Sequence, residues 1–166
     1  MQHRTFTTPP DTDARGIDYY SGTTPRSSIV QVIEGGCLCK AIRYGISGTP
    51  LSSIVCHCAT CRRASAAPTV AWLTVDRVQF HFLCGSPRIF QSSRDVVRRF
   101  CEVCGTQLTY ETAGSPNTID VTTASLDFPE LHPPNMEVWL EHKLAWQRLN
   151  DDLGHYRRDL SSGSEP

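Results

Sequence analysis

Cysteine is the residue whose spacing in this sequence points most directly to chemistry. Seven of the eight cysteines fall into three short motifs, which are Cys37-x-Cys39, Cys56-x-Cys58-x2-Cys61 and Cys101-x2-Cys104. Structural zinc sites use four protein ligands, whereas catalytic zinc sites use three and keep one position for water or substrate. We therefore predict one closed site of four thiolates and one open site of three.

Disulfide bonding is the main alternative to metal binding. Eight cysteines in 166 residues would suit an oxidised, secreted domain. However, residues 1–28 contain no apolar run typical of a signal peptide, and cysteines separated by one residue reach each other poorly for a disulfide bond. We favour metal binding and expect a cytoplasmic protein.

The predicted closed site joins the first and third motifs. Cys37 and Cys39 are expected to share one face of a strand, because residues i and i+2 point the same way there. Gly35-Gly36 would let the chain bend tightly into the site, and Gly105 suits a left-handed turn after the third motif. We assign a structural zinc to the four thiols of Cys37, Cys39, Cys101 and Cys104.

The predicted open site lies in one short segment. Cys56 and Cys58 again share a face, and Cys61 follows at the start of a predicted helix. Three thiolates blunt the Lewis acidity of zinc, so the site suits an incoming thiol better than a carbonyl. A metal-bound thiol is deprotonated and becomes a nucleophile at neutral pH. We therefore assign a catalytic zinc to Cys56, Cys58 and Cys61.

Four residues near these motifs have open roles. Arg62 and Arg63 would either offset the negative site or bind a substrate carboxylate, although a solvated helix face explains them equally well. His57 is an awkward fourth ligand because it stands between two ligands. Cys84 belongs to no motif and is interpreted as a spare thiol rather than a distant ligand.

The overall composition excludes several classes of partner. The net charge is −1, with 16 basic and 17 acidic residues, so we expect neither nucleic acid nor a membrane surface as a partner. No apolar stretch approaches the roughly 18 residues that would span a bilayer. A homo-oligomer is compatible with the sequence.

The order of local patterns predicts an all-β domain. We expect a flexible tail or arm over residues 1–27, a zinc-binding domain over 28–160 and a frayed C-terminus over 161–166. One short helix is predicted at Ala59–Ala66, ended by Pro68. Strands are predicted over Ser28–Glu34, Ala41–Tyr44, Leu51–Val55, Thr69–Thr74, Val78–Phe82, Arg88–Gln91, Arg98–Phe100, Gln107–Glu111, Thr118–Thr122 and Glu137–Leu140.

The cysteine motifs, in this order, resemble the glutathione-dependent formaldehyde-activating (GFA) family, which also includes centromere protein V. The matching stretches are residues 35–44, 56–63 and 99–106, followed by Ser125-Leu126-Asp127, Pro129, Trp139, Lys143 and Trp146. The resemblance covers about residues 32–157. This chain has Lys40 where a glycine is common, Ala66-Ala67 where a glycine often follows, and Gly154-His155 in place of Leu-Pro.

The resemblance implies a fold, two metals and a reaction. The fold is a β-tent of twisted antiparallel sheets with two zinc ions, held by the same ligand sets as those assigned above. The family activity is carbon–sulfur lyase chemistry on S-(hydroxymethyl)glutathione, the adduct of glutathione and formaldehyde. We thus expect a lyase whose partners are a small thiol such as glutathione and an aldehyde. Arg62 and Arg63 are candidates to bind the carboxylates of the thiol.

Two other functions remain as hypotheses. In the first, the chain is a non-enzymatic zinc-scaffold binding protein, and His57 or Cys84 closes the three-cysteine site. In the second, it is a thiol-based redox sensor that releases zinc when Cys56, Cys58 and Cys61 are oxidised.

Overall fold

The computed structural model describes residues 32–160. The predicted tail over 1–27, the frayed C-terminus over 161–166 and the first four residues of the strand predicted at Ser28–Glu34 lie outside the described residues. The division of the chain into these segments therefore stays a prediction.

Short strands dominate the described part of the chain, as predicted for an all-β protein. The single α-helix among the described residues, α1, spans Ala59–Ser65. The strands are β1 (Val32–Gly36), β2 (Arg43–Ser47), β3 (Ser52–Cys56), β4 (Val70–Asp76), β5 (Phe80–Cys84), β6 (Arg88–Ser93), β7 (Val96–Phe100), β8 (Gln107–Thr112), β9 (Thr118–Thr122), β10 (Met136–Val138) and β11 (Gly154–His155).

Most predicted strands occur with shifted ends, and two of these shifts have a local cause. The strand predicted at Val78–Phe82 begins only at Phe80, because Arg77–Gln79 forms a 3₁₀ turn. The strand predicted at Glu137–Leu140 ends at Val138, because Trp139 adopts a left-handed backbone conformation with φ of 61°. Strand β11 has only two residues, which is too short to leave a pattern in the sequence.

The strands form two sheets. The small sheet has the order β1-β2-β5, and the large sheet has the order β11-β10-β3-β4-β9-β8-β7-β6. Among the described strands, pairing is antiparallel except that β10 runs parallel to both β3 and β11. An isolated bridge between Gly35 and Leu126 joins the edge of the small sheet to the segment after β9.

The main core lies on one face of β4, β8 and β9. Successive side chains of a strand point to opposite faces, so Leu73 and Val75 of β4 share this face. They pack with Tyr44 and Ile46 of the small sheet, and all four side chains are buried. Cys37 and Cys101 also belong to this core, so the predicted closed site borders it.

A second, smaller core lies on the opposite face of β4. Val70 and Trp72 of β4 pack there with Val138 of β10. Cys56 and Cys61 are part of the same cluster. The alternation of side chains along β4 thus assigns the two cysteine clusters to two different cores.

No helix within residues 32–160 has both the length and the apolar character needed to cross a membrane.

Candidate metal centres and the adjoining cavity

The first and third cysteine motifs meet in a compact four-thiol cluster. The sulfur atoms of Cys37, Cys39, Cys101 and Cys104 all lie within 4.8 Å of one another. The Cys37 and Cys39 sulfurs are 3.5 Å apart, and those of Cys39 and Cys101 are 3.7 Å apart. Four convergent thiols fill the tetrahedral coordination of a zinc ion, so this donor set fits a closed structural metal.

A turn rather than a strand brings Cys37 and Cys39 together. Strand β1 ends at Gly36, and the N–H of Lys40 donates to the carbonyl of Cys37 at 2.9 Å. The backbone N–H of Ile42 donates to the Cys37 sulfur at 3.3 Å. The pairing of the two sulfurs was predicted, but the strand geometry used to predict it was wrong.

The third motif folds as a turn closed by Gly105. The Gly105 N–H donates to the carbonyl of Cys101 at 2.8 Å, and Gly105 has φ of 75°, the left-handed conformation expected for it. The Thr106 hydroxyl lies 3.3 Å from the Cys104 sulfur and accepts a 3.1 Å hydrogen bond from the Leu38 N–H. Hydrogen bonds from Thr106 lower the pKa of Cys104 to about 5, which favours the thiolate that a metal requires.

Gly35 allows close packing rather than the sharp bend predicted for it. A Cβ atom at this position would lie 2.3 Å from the Tyr44 hydroxyl, and the residue lies within β1. The Tyr44 hydroxyl is itself 2.7 Å from the hydroxyl of Ser125. The missing side chain therefore leaves room for the Tyr44 hydroxyl of the neighbouring strand to reach Ser125, which follows β9.

The second motif forms a separate three-thiol cluster. The sulfurs of Cys56, Cys58 and Cys61 lie within 4.8 Å of one another. Within residues 32–160, no fourth His, Cys, Asp or Glu side chain joins this group. The donor set fits a zinc ion with one coordination position left for an exogenous ligand.

The boundary between β3 and α1 positions these three thiols. Cys56 is the last residue of β3, and Cys58 is the N-cap of α1 in an extended conformation. The Cys58 sulfur accepts a 3.3 Å hydrogen bond from the Cys61 N–H, in the manner of a capping side chain. Hydrogen bonds from Cys56 and Cys61 lower the pKa of the Cys58 thiol.

His57 is buried on the far side of the Cys56–Cys58 segment and does not join the thiols. Its Nε2 lies 3.7 Å from Oε1 of Glu137, a buried residue of β10. Burial lowers the pKa of the imidazole, although the charge of Glu137 opposes this effect. The backbone N–H of His57 donates to the Val138 carbonyl at 3.0 Å. His57 therefore anchors the segment instead of completing the metal site.

Cys84 lies apart from both clusters. It ends β5 in the small sheet, pairs with Arg43 in register and is exposed. This position agrees with its interpretation as a spare thiol.

Arg62 and Arg63 flank the three-thiol cluster without touching it. The Nε of Arg62 donates to the His57 carbonyl at 3.2 Å, and the Arg63 side chain is exposed. Among the described residues, neither arginine lines the cavity beside the cysteines. Their role in holding a substrate carboxylate stays a proposal.

Arg98, which the sequence analysis did not identify, is the cation that contacts a cysteine of this cluster. This β7 residue is only 4% exposed, and its Nη2 lies 3.6 Å from the Cys61 sulfur. Its guanidinium carbon lies 4.9 Å from the centroid of the Tyr110 ring, and its Nε donates to the Ser92 hydroxyl at 3.2 Å. A buried guanidinium needs a negative partner, and the thiolates of a metal-loaded cluster supply one.

Gln107 connects Arg98 to the helix that carries Cys61. In the amide orientation that satisfies both of its polar groups, its oxygen accepts from Arg98 Nη1 at 3.1 Å and its nitrogen donates to the Ala64 carbonyl at 3.2 Å. The guanidinium is thus held at a fixed position relative to α1.

The three cysteines open onto a cavity of about 260 Å³. Two aromatic side chains, Trp72 and Tyr110, form one wall, with ring centroids 6.0 Å apart. Trp139 stacks on His142 with an interplanar angle of 2° at the rim. The lining residues are Ile54, Cys56, Cys58, Ala59, Thr60, Cys61, Trp72, Tyr110, Asp120, Val138, Trp139 and His142. A cavity of mostly apolar walls with a few convergent polar groups is typical of a small-molecule site.

A larger, open cleft of about 660 Å³ runs between the four-thiol cluster and the C-terminal end of α1. Lys40 and Arg43 line it, and Arg43 is paired with Asp127 through both terminal nitrogens. Because the adjacent cluster already has four thiols, this cleft offers no free metal position.

Comparison with known proteins agrees with the resemblance in the cysteine motifs. The profile of the family described as glutathione-dependent formaldehyde-activating enzyme matches residues 32–142. A structural-genomics crystal structure of a Rhodobacter sphaeroides protein is 22% identical, with a TM-score of 0.49, and the match covers 57% of this chain and 87% of that one. Curated proteins give no match. The family profile spans more than half of the sequence, and the chain belongs to the glutathione-dependent formaldehyde-activating enzyme family.

Proposed function

We propose that this protein is a zinc-dependent carbon–sulfur lyase that makes or breaks a thiol–aldehyde adduct such as S-(hydroxymethyl)glutathione. One observation carries the proposal. The three thiols of Cys56, Cys58 and Cys61 meet at the wall of a cavity, and no fourth ligand from residues 32–160 accompanies them. Family membership supports glutathione and formaldehyde as the first substrates to test.

The three cysteines would hold the ion, and a bound zinc would keep a substrate thiol in its reactive thiolate form near neutral pH. Trp72 and Tyr110 line the cavity, and displacement of water from these aromatic walls by a bound substrate would strengthen the electrostatic interactions inside it. The cavity, at about 260 Å³, has room for a small aldehyde beside the thiol sulfur. The peptide portion of glutathione would then extend past the rim, and Arg62 and Arg63 are candidates to bind its carboxylates there.

Arg98 compensates the charge of the cluster. A divalent ion with three thiolates carries a net charge of −1, and the guanidinium beside Cys61 offsets that charge. Binding of a further thiolate would be opposed by Coulomb repulsion without this cation. We also place the reaction in the cytoplasm, because reducing conditions keep these thiols free.

The experiment is a measurement of turnover with matched cysteine variants. Proton NMR exchange spectroscopy would follow interconversion of glutathione, formaldehyde and their adduct with the zinc-loaded protein. We expect the wild type to accelerate the exchange and Cys58→Ser to return it toward the uncatalysed rate. Cys84→Ser, which changes the exposed thiol outside both clusters, should match the wild type. If the wild type gives no acceleration, the scaffold hypothesis replaces this proposal.

A further inference from the structure

The reaction requires a group that moves one proton within the cavity, and this requirement rests on the proposed function. A thiol and formaldehyde combine as RSH + H₂CO → RS–CH₂–OH. The sulfur gives up its proton and its electron pair forms the new S–C bond, while the C=O π pair moves to oxygen. The oxygen then takes one proton. No proton is gained or lost overall, so a single base that accepts the thiol proton and returns it to oxygen completes the cycle.

We propose that Asp120 is this proton relay. Its carboxylate takes the proton from the substrate thiol and gives it to the oxygen of the forming adduct, and it performs the reverse transfers when the adduct breaks. Asp120 is the carboxylate that lines the same cavity as Cys56, Cys58 and Cys61 among the described residues.

The sheet register explains why this side chain points into the cavity. Residues directly opposite each other in paired strands have side chains on the same face. Asp120 of β9 is opposite Thr74 of β4 and Tyr110 of β8, and Tyr110 is opposite Arg98 of β7. These four side chains form a polar row across the sheet. The row runs along the face that carries the three-thiol cluster, and Arg98 at its end contacts Cys61.

Hydrogen bonding leaves one oxygen of Asp120 available for this role. The Thr74 hydroxyl donates to Oδ1 at 2.6 Å and fixes the orientation of the carboxylate. Within residues 32–160, Oδ2 has no such side-chain donor, so it is the oxygen that would meet the substrate. A catalytic base must lie within hydrogen-bond reach of the proton that it moves, and Asp120 lines the cavity in which the relay requires the thiol and the aldehyde oxygen to bind.

The surroundings of Asp120 raise the pKa of its carboxyl, and burial is the largest cause. Burial raises the pKa of the carboxyl, while the Thr74 hydrogen bond and the positive charge of Arg98 act in the opposite direction. Burial favours the proton-carrying form, and the two polar partners favour the ionised form. A relay alternates between these two forms in each reaction.

Other groups at the cavity are less suited to the role. Burial raises the pKa of Tyr110 further above neutrality, so its phenol is a poor base. The Thr60 hydroxyl lies 3.3 Å from the Cys58 sulfur, but a neutral alcohol does not store a proton. His142 is the main rival, although its side chain is 44% exposed and stacks on Trp139 at the rim.

The first test counts the protons released when a thiol binds. Glutathione would be titrated calorimetrically into the zinc-loaded protein in two buffers with different ionisation enthalpies, at one pH. We expect the wild type to release few protons to the buffer, because Asp120 captures the thiol proton. Asp120→Asn should release about one proton for each thiol bound, because a metal site binds the thiolate form. Asp95→Asn, in the exposed turn between β6 and β7, should match the wild type.

The same variants would be compared in adduct turnover. Asp120→Asn should lose about 10² to 10⁴ in rate, the usual contribution of a general acid–base group. If the Asn variant does not fold, Asp120→Ala would be used instead, and the same results are expected of it. Unchanged proton release in the Asp120 variant, or turnover within about threefold of wild type, would overturn the relay. The relay would also be overturned if His142→Gln lost proton capture while Asp120→Asn kept it. A wild type that binds no thiol and turns over no adduct would instead overturn the proposed lyase function and the relay with it.

Discussion

At the residue scale, the candidate site combines cysteines from one short segment with residues from distant strands, and only the cysteines were predictable from the sequence. Cys56, Cys58 and Cys61 are close in sequence, so their spacing alone indicates a shared ligand. Arg98 and Asp120 come from other strands and reach the site through the pairing of β7, β8 and β9. That pairing depends on long-range register, which no local pattern encodes.

The contact between Arg98 and Cys61 gives a prediction about metal affinity. Arg98→Met keeps the apolar stem but removes the charge, so the three thiolates and their metal would carry an uncompensated negative charge in a buried position. We expect zinc affinity at the three-cysteine site to fall about 10- to 100-fold, as for other residues that contact metal ligands. Competition with a chromophoric chelator would measure it.

Two variants make the Arg98 result specific. Arg98→Lys keeps the charge and should retain part of the affinity. Arg88→Met removes an exposed arginine from the edge strand β6 and should leave the affinity unchanged. Equal zinc affinity in Arg98→Met and wild type would show that the guanidinium does not compensate the cluster.

At the element scale, the turns that follow the cysteine motifs carry backbone strain at two non-glycine residues. Lys40 has φ of 63° and follows Cys39, and Ala66 has φ of 51° at the C-cap of α1. At both, the resemblance described in the sequence analysis leads to the expectation of a glycine at or near the position. The left-handed conformation costs an L-residue roughly 1–2 kcal/mol, whereas glycine adopts it without steric penalty. The two departures from that expectation therefore coincide with strained turns beside the cysteine clusters.

Glycine at either position should stabilise the fold. We expect Lys40→Gly and Ala66→Gly each to raise the free energy of unfolding by about 0.5–1 kcal/mol, because relief of strain exceeds the added entropy of the unfolded chain. Urea denaturation of the metal-loaded protein would measure the change. Ala64→Gly, inside α1, is the matched control and should destabilise by about 0.5–1 kcal/mol. An Ala66→Gly variant that is destabilised as much as Ala64→Gly would contradict the strain account.

At the element scale, local sequence patterns were sufficient to predict the positions of some strands but not how the strands pair. Local strand patterns predicted β4 and β9 closely, because β9 has one apolar face in the main core and β4 has apolar residues on both faces, one in each core. The same patterns did not predict that β10 pairs in parallel with β3, because the connection between them contains most of the sheet. Nor did they predict the left-handed Trp139, which ends β10 and brings its ring to the cavity rim.

At the scale of the whole molecule, the two cysteine clusters differ in what they connect. The four-thiol cluster ties the turn between β1 and β2 of the small sheet to the turn between β7 and β8 of the large sheet. A structural zinc contributes about 10–16 kcal/mol of apparent binding free energy, comparable with the stability of a domain. The three-thiol cluster connects only neighbouring residues of β3 and α1, so a metal bound there would contribute less to folding.

This division gives the central claim, that one cluster is closed to ligands and the other accepts a thiol. The most direct test is the sulfur-to-metal charge-transfer absorption of the cobalt-loaded protein during titration with glutathione. We predict that two cobalt ions bind per chain and that glutathione changes the absorption of one of them. The change should be absent from Cys58→Ser and retained in Cys84→Ser. A spectrum that glutathione leaves unchanged, or one in which both cobalt ions respond alike, would contradict the account.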